Sequence, residues 1–520
     1  MNKVITRFAP SPTGFLHAGN YRTALFSYIF AKKNKGKFLL RIEDSDKARS
    51  KKEYEDNIIE SLKWLGLDYD GFERQSEHLT RHKECLQKLI DSGAAFISDE
   101  TSRVDDQSLI KTAKNVPTRS SVIRFKNPNK KVRFNDLIRG EIEFDTTDLG
   151  DFVIARSMDE PVFHLVVVID DNDMGVTHVI RGEDHISNTP RQILIAEALG
   201  FEIPKYAHIP LLLAPDRSKL SKRKGAKAIT EYRDAGYLPT ALINYLAFLG
   251  WNPGDDREVM SLDEIISAFD LAKVQKAGAI FDEEKLKWMN KQYMAKLSDE
   301  EYLEQAKKFV KAQEENKKQR VKSKDEEKIE IENRSRSEAN QESEAAFGAL
   351  QTPQRGIFHQ ENIRAAEPLG SRSLNEEILK KSLPVIRDRA HTFGDITDMF
   401  KREGELGFVI EQPVYDAKKL LWKGDTVTKT SLPAEALAKV GLHIEKIIEL
   451  LMPLKGFSAE EIKNTIWPYA EENGKGNVLW PMRFALTGRD KSPDPFICAS
   501  ILGKEDSMKR LGQACDVLKK

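Results

Sequence analysis

The chain has 520 residues, with 40% hydrophobic and 32% charged residues and a formal net charge of zero from 82 basic and 82 acidic side chains. That length exceeds one core and gives a prior of roughly three to five domains. The balanced charge announces no nucleic-acid partner in bulk, so any such partner must be met by local basic patches. The three cysteines, Cys85, Cys498 and Cys515, are scattered without metal-ligand spacing, which excludes a cysteine zinc site and argues against a disulfide framework. The longest purely aliphatic run, Leu165 to Ile169, falls far short of the ~20 residues of a membrane span. The N-terminus reads as a strand rather than a signal peptide, and a cytoplasmic, soluble protein with no membrane contact is expected.

Lys3 to Phe8 alternates as a strand. Ser11-Pro-Thr-Gly-Phe-Leu-His17-Ala-Gly19-Asn20 follows as a turn, and Tyr21 to Lys33 has helical spacing, closed by Gly36. A turn feeding a helix N-terminus suits a phosphate, with Gly14 and Gly19 allowing close approach and His17 supplying a ring N–H. Alone, it is equally an ordinary turn. Lys37 to Ile42 reads as a second strand ending in Glu43-Asp44, and Tyr54 to Leu65 as an amphipathic helix. Strand, helix, strand, helix implies a doubly wound parallel sheet, whose ligands sit at strand carboxyl ends.

After a helix over 79–92, short strands at Val122–Phe125, Val132–Phe134 and Ile142–Phe144 suggest an α+β insertion over 96–149. The sheet is expected to resume at Phe152–Ala155, then helix 162–170, strand Thr177–Arg181, helix 189–199 and a last strand Ile209–Leu213. That strand runs into Lys219-Leu-Ser-Lys-Arg223, a basic loop that is either solvent-facing or a holder of polyphosphate. Beyond Gly225 the pattern is helical. Residues 312–373 are too polar to offset their ordering entropy and read as a flexible insert, and helices return from 374 to 520.

Two stretches some two hundred residues apart, both at sheet-end loops, carry a resemblance. Pro10 to Asn20 resembles the HIGH signature, and Lys219 to Arg223 the KMSKS signature, of class I aminoacyl-tRNA synthetases. Thr6–Gly14, Arg41–Asp44, Thr177–His185, Ile280–Asn290 and Leu479–Gly488 narrow the resemblance to bacterial-type glutamyl-tRNA synthetases over nearly the whole chain except about 312–373.

The resemblance implies a Rossmann-type catalytic domain (1–95 and 150–228), an acceptor-end-binding insertion (96–149), a helical stem-contact domain (229–311) and a helical anticodon-binding domain (374–520). It implies activation of L-glutamate by ATP, with Mg2+, to glutamyl-adenylate, and transfer to the terminal adenosine of tRNA(Glu), with tRNA(Gln) left open as a second acceptor. His17, Lys219 and Lys222 would be catalytic. Ser11, Gly14, Gly19 and Ser221 would join them in binding ATP, through backbone N–H groups near Ser11 and Gly19. Arg7 and Arg181 would meet the acidic groups of glutamate and Glu43 its ammonium, which suits arginine's planar fork.

Phe163 stands where the family often has a substrate-facing tyrosine. His164 beside it would either substitute or be a satisfied core histidine. Asp170-Asp171 reads as a helix-end turn rather than a metal pair. The region 96–116 lacks the cysteines of the zinc knuckle found in some members, so no zinc or other protein-bound metal is expected. Arg387 and Arg389 fall near the family's anticodon-reading arginine, or on an ordinary exposed helix face. Nothing asks for more than a monomer. Glutaminyl enzymes carry β-barrels where this chain reads as helices, and a non-catalytic tRNA-binding paralogue would be expected to lose His17, Gly19 or Lys222.

Overall fold

A computed structural model describes residues 3–100, 120–221, 225–316, 374, 376–422 and 433–519. Lys222 and nearly all of the polar 312–373 segment lie outside these residues. The chain divides into two compact units, 1–293 and 294–520. The division falls inside a helix rather than at the boundaries after 228 and 311 drawn from the sequence.

The first unit opens with β1 (Ile5–Phe8), α1 (Ala18–Lys33), β2 (Lys37–Ile42), α2 (Lys52–Leu65), β3 (Gly71–Arg74) and α3 (Leu79–Asp91). β1 pairs with β2 and β2 with β3, all parallel. α2 buries Ile58, Ser61, Leu62 and Leu65, the face expected from its periodicity. Gly36 does not end α1 by a left-handed turn; Lys35 takes that conformation, at φ 51°. Gly36 is instead a point of close approach, where a Cβ would lie 2.1 Å from the Val4 carbonyl oxygen.

β4 (Ala95–Glu100), β5 (Ser120–Phe125), β6 (Lys131–Asp136), β7 (Gly140–Asp145), β8 (Phe152–Ser157) and β9 (Glu160–Pro161) follow. β4, β5, β8 and β9 form an antiparallel sheet of their own. Phe152–Ala155 therefore belongs to the inserted sheet and does not resume the parallel one. Its alternation announces a strand without naming a partner.

α4 (Phe163–Asp173) leads to β10 (His178–Gly182), α5 (Thr189–Leu199), β11 (Lys205–Ile209) and β12 (Leu212–Leu213). The expected last strand is thus two. β11 pairs in parallel with β10, whereas β12 pairs with β13 (Ala279–Ile280). Pro210, which has no N–H to donate, separates them. Thr177 N donates to Ile5 O at 3.0 Å, so β10 runs beside β1. The parallel order is β3-β2-β1-β10-β11, with the β6–β7 hairpin joined to β11 at Tyr206 and Asp136. Strand order reverses between β1 and β10, the place where doubly wound sheets bind ligands.

α6 (Ile229–Asp234), α7 (Pro239–Phe248), α8 (Leu262–Ala268) and α9 (Glu283–Ala295) complete this part of the chain. Tyr21, Leu25, Phe26, Leu242, Leu246 and Phe269 lie in one core with β1 and β2.

In the second unit a helix, α10, runs over 299–316, so the first residues of the polar segment are helical. Then come α11 (Glu376–Arg389), α12 (Phe393–Met399), α13 (Pro433–Leu451), α14 (Ala459–Asn473), α15 (Lys475–Thr487), α16 (Pro495–Leu502) and α17 (Lys504–Lys519). α12 and α15 were not foreseen as helices. α12 carries a readable signal, a capping box between Thr392 and Asp395. α15 hides behind Pro481.

Candidate active site

A cavity of about 470 Å³ opens at the carboxyl ends of β1 and β10. It is lined by Arg7, Ser11, His17, Gly19, Glu43, Phe163, Arg181 and Lys219, all named from the sequence. Gly14 and Ser221 do not line it, although both sit in the loops that border it.

The 9–16 turn is fixed by its neighbours. Glu43 N donates to Pro10 O at 2.9 Å and Lys51 N to Pro12 O at 3.0 Å. His17 is the N-cap of α1 in a capping box with Asn20. Gly19 N–H donates to His17 Nδ1 at 3.1 Å, which leaves Nε2 as the protonated nitrogen of a neutral ring. The Gly19 amide is therefore occupied by His17, a correction to its expected part in holding phosphate. Gly19 serves another need, since a Cβ there would come within 2.9 Å of the imidazole.

Both signature loops border the cavity. His17 forms a β-bridge with Ala228, just beyond the basic loop, and Leu220 N donates to Leu212 O at 2.9 Å, which ties that loop to β12. Lys219 Nζ lies 2.9 Å from Asp184 Oδ2, and Asp184 itself lines the cavity.

Beneath the cavity two arginines, Arg7 and Arg41, meet three carboxylates. Arg41, with no exposed surface, donates to Asp171 Oδ1 at 2.6 Å and to Glu43 Oε1 at 3.0 Å. Arg7 Nε donates to Asp171 at 3.2 Å. Asp170 accepts from Gln75 at 2.8 Å and pairs with His82 at 2.6 Å. Asp170 and Asp171, in the last turn of α4 as expected, are thus buried ion-pair partners. Burial pushes the Asp171 carboxyl upward, but Arg7 and Arg41 outweigh it and hold it below the usual range. At Glu43 burial prevails, and its carboxyl is lifted despite Arg41 and Arg7. An arriving ammonium would find a partner there.

Arg181 differs in kind. It is 6% exposed and has no ion pair among the described residues. Among the described residues its donors reach only neutral acceptors: His208 Nε2 at 3.1 Å, Gln192 Oε1 at 2.8 Å, Thr189 Oγ1 at 2.7 Å and His185 O at 3.4 Å. Burial lowers it to about 10. A buried, uncompensated guanidinium at a cavity wall invites an anion.

His164 lies outside the cavity lining and neither substitutes for the missing tyrosine nor is satisfied. Its Nδ1 is buried without a hydrogen-bond partner among the described residues, and burial lowers the ring to about 4. His185, which does line the cavity, packs 6.0 Å from Phe163. Sequence reasoning missed Arg22, Asp184 and His185 as cavity residues. Arg22 and the last two lie inside or beside the quoted signatures, which was the available signal.

In the second unit Arg387 is anchored by the protein. It donates to Ala295 O and Leu297 O, pairs with Asp299 and lies over the Tyr302 ring. Those contacts tie its guanidinium into the fold. Arg389 is exposed, beside Asp388.

Among the described residues no group of three or more His, Cys, Asp or Glu is placed to hold a metal ion, and no helix is long and apolar enough to cross a membrane.

The reversal of strand order, the two loops that border the cavity above it and the buried arginines belong to a nucleotide-activating class I synthetase domain. The model for "tRNA synthetases class I (E and Q), catalytic domain" matches residues 3–105 and 105–288, and that for an anticodon binding domain matches 360–515. A glutamate–tRNA ligase of Carboxydothermus hydrogenoformans is 35% identical over 98% of this chain and 99% of its own length. One of Aquifex aeolicus is 52% identical over 56% of this chain and 67% of its own. The crystal structure of a glutamate tRNA ligase from Elizabethkingia meningosepticum, in complex with its amino acid, superposes with a TM-score of 0.75 at 30% identity, covering 99% of this chain and all of that one. The chain belongs to the glutamate–tRNA ligase family.

Proposed function

We infer that the protein activates L-glutamate with ATP and transfers it to tRNA(Glu). The single observation that carries the amino-acid assignment is Arg181, a buried cation at the cavity wall held only by neutral acceptors. A carboxylate supplies the missing countercharge; a neutral amide does not. Glu43 takes the α-ammonium, and Arg7, whose Nε is held by Asp171, offers its terminal nitrogens to the remaining acidic group.

In the first step an α-carboxylate oxygen attacks the α-phosphorus of ATP, and the bond to the departing pyrophosphate breaks. No protein side chain becomes covalently attached, so catalysis rests on positioning and on stabilising charge. His17 Nε2–H donates to a phosphate oxygen. Lys219, and Lys222 beyond the described residues, follow the charge that builds on pyrophosphate. When bound with ATP, Mg2+ would neutralise charge on the phosphates, alongside the cation and ring N–H that Lys219 and His17 bring to the cavity. In the second step a terminal ribose hydroxyl attacks the adenylate carbonyl and AMP departs. The acceptor end of the tRNA meets the inserted antiparallel sheet and the anticodon meets the second unit, with the protein acting as a monomer.

Charging assays with purified tRNA(Glu) and tRNA(Gln), and with glutamate or glutamine, test the reading. Glutamate is expected on tRNA(Glu), and glutamine on neither. Arg181→Ala is expected to lower kcat/KM for glutamate by at least about a hundredfold, the loss of a charged hydrogen-bonded contact. Wild-type glutamate kinetics in that variant would sink the assignment. Charging of tRNA(Gln) as well would make the enzyme non-discriminating.

A further inference from the structure

Arg181 does not hold its position alone. His208, on β11, accepts from Arg181 Nε at Nε2, 3.1 Å away. Its other nitrogen, Nδ1, donates to Asp136 Oδ2 at 2.7 Å. His208 is fully buried and Asp136 is 1% exposed. Asp136 ends β6, in the hairpin that joins the parallel sheet at its edge. We propose that Asp136 and His208 are positioning residues for glutamate, a two-residue relay that presents Arg181 to the substrate with its charge uncompensated. The proposal rests on the assignment of Arg181 to a substrate carboxylate.

The chemistry of the carboxylate makes the relay directional. Asp136 accepts four N–H groups: Ile138 N at 3.0 Å and Arg139 N at 2.9 Å on Oδ1, and His208 N at 3.0 Å and His208 Nδ1 at 2.7 Å on Oδ2. Three of these donors are backbone N–H groups, and with the His208 ring they hold Asp136 below the usual range against its burial, which places the shared proton on Nδ1. With Nδ1 protonated, the neutral ring must expose a lone pair at Nε2. That lone pair is what Arg181 Nε–H needs.

A carboxylate in direct contact with Arg181 would orient it equally well but would cancel the charge the substrate seeks. Arg7, bound directly to Asp171, shows the alternative in the same cavity. Interposing a neutral imidazole separates orientation from neutralisation. An amide cannot replace Asp136 without loss. Its NH2 would face either His208 Nδ1–H and N–H or the Ile138 and Arg139 amides. In the first case the ring must move its proton to Nε2, opposite Arg181 Nε–H.

The test uses the full chain in tRNA charging, with KM for glutamate and for ATP measured separately. Asp136→Asn and His208→Ala are expected to raise KM for glutamate about tenfold or more, with KM for ATP within about twofold. His208→Gln, whose carbonyl oxygen can stand in for Nε2, is expected to recover most of the loss. Asp136 also ties backbone, so its variant is read beside the two His208 variants, which leave that carboxylate's Ile138 and Arg139 bonds in place. Equal increases in both KM values, an unchanged His208→Ala, or a His208→Gln as impaired as His208→Ala would each overturn the relay. Arg181→Ala is run in parallel. If it raises KM for glutamate and His208→Ala does not, the relay alone fails; if it leaves KM unchanged, the substrate assignment fails with it.

Discussion

Asp171 is buried and accepts from both Arg41 and Arg7, at 2.6 and 3.2 Å. Asp171→Ala leaves Arg41 with Glu43 and a more distant Asp170 at 3.8 Å, and Arg7 with nothing among the described residues. The expected cost is about 3–5 kcal/mol, that of stranding a buried charge. Denaturant unfolding of the first unit's transition measures it; a loss below about 1 kcal/mol would mean that the network repairs itself. The same comparison separates two of the cavity arginines. Arg7 is paired at its Nε with Asp171, whereas Arg181 has no ion pair among the described residues.

At the scale of elements, the junction between α1 and β2 is set by contact rather than by a turn. Gly36→Ala would drive a Cβ into the Val4 carbonyl, whose oxygen also accepts from Lys37 N at 2.8 Å. A loss of about 1–3 kcal/mol is expected, the range for overpacking, read as a lower melting temperature. A change within error would show that β1 can shift aside. This junction also marks where sequence reasoning stops. The periodicity of α1 and α2 and the alternation of β1 and β2 were legible because each depends on local spacing. Gly36 was legible as a special residue but not as a contact, because Val4 lies beyond the whole of α1. Phe152–Ser157 was legible as a strand, yet its partner β5 was not. In the site, Arg7, His17, Glu43, Arg181 and Lys219 were named from the signatures that hold them. Asp136 and His208 were not, because 72 residues separate them and neither falls in a signature that assigns it a role.

Across the molecule, acid sensitivity follows from buried imidazoles. Burial lowers His164, His178 and His185 from 6.5 to about 4. A folded-state value below the unfolded one means that the unfolded chain binds the proton more tightly between the two. Stability is therefore full above about 6.5 and falls as the pH drops from there to about 4. Asp171 and Asp136, both depressed when folded, extend the loss further into acid. Melting temperatures measured from pH 8 down to pH 4 are expected to decline most steeply below about pH 6.5. A flat profile over that interval would contradict the burial of these rings.

The contact between Lys219 and Asp184 gives nucleotide binding the character of an exchange. Before ATP arrives, the lysine of the basic loop already holds an anion, and that anion belongs to the cavity wall. On the proposed role of Lys219, a triphosphate would not meet a naked cation; it would take over a partner and set a carboxylate free. The affinity for ATP would then be a difference between two pairings of one ammonium, and the carboxylate released by the exchange would stand, negatively charged, beside the place from which pyrophosphate leaves.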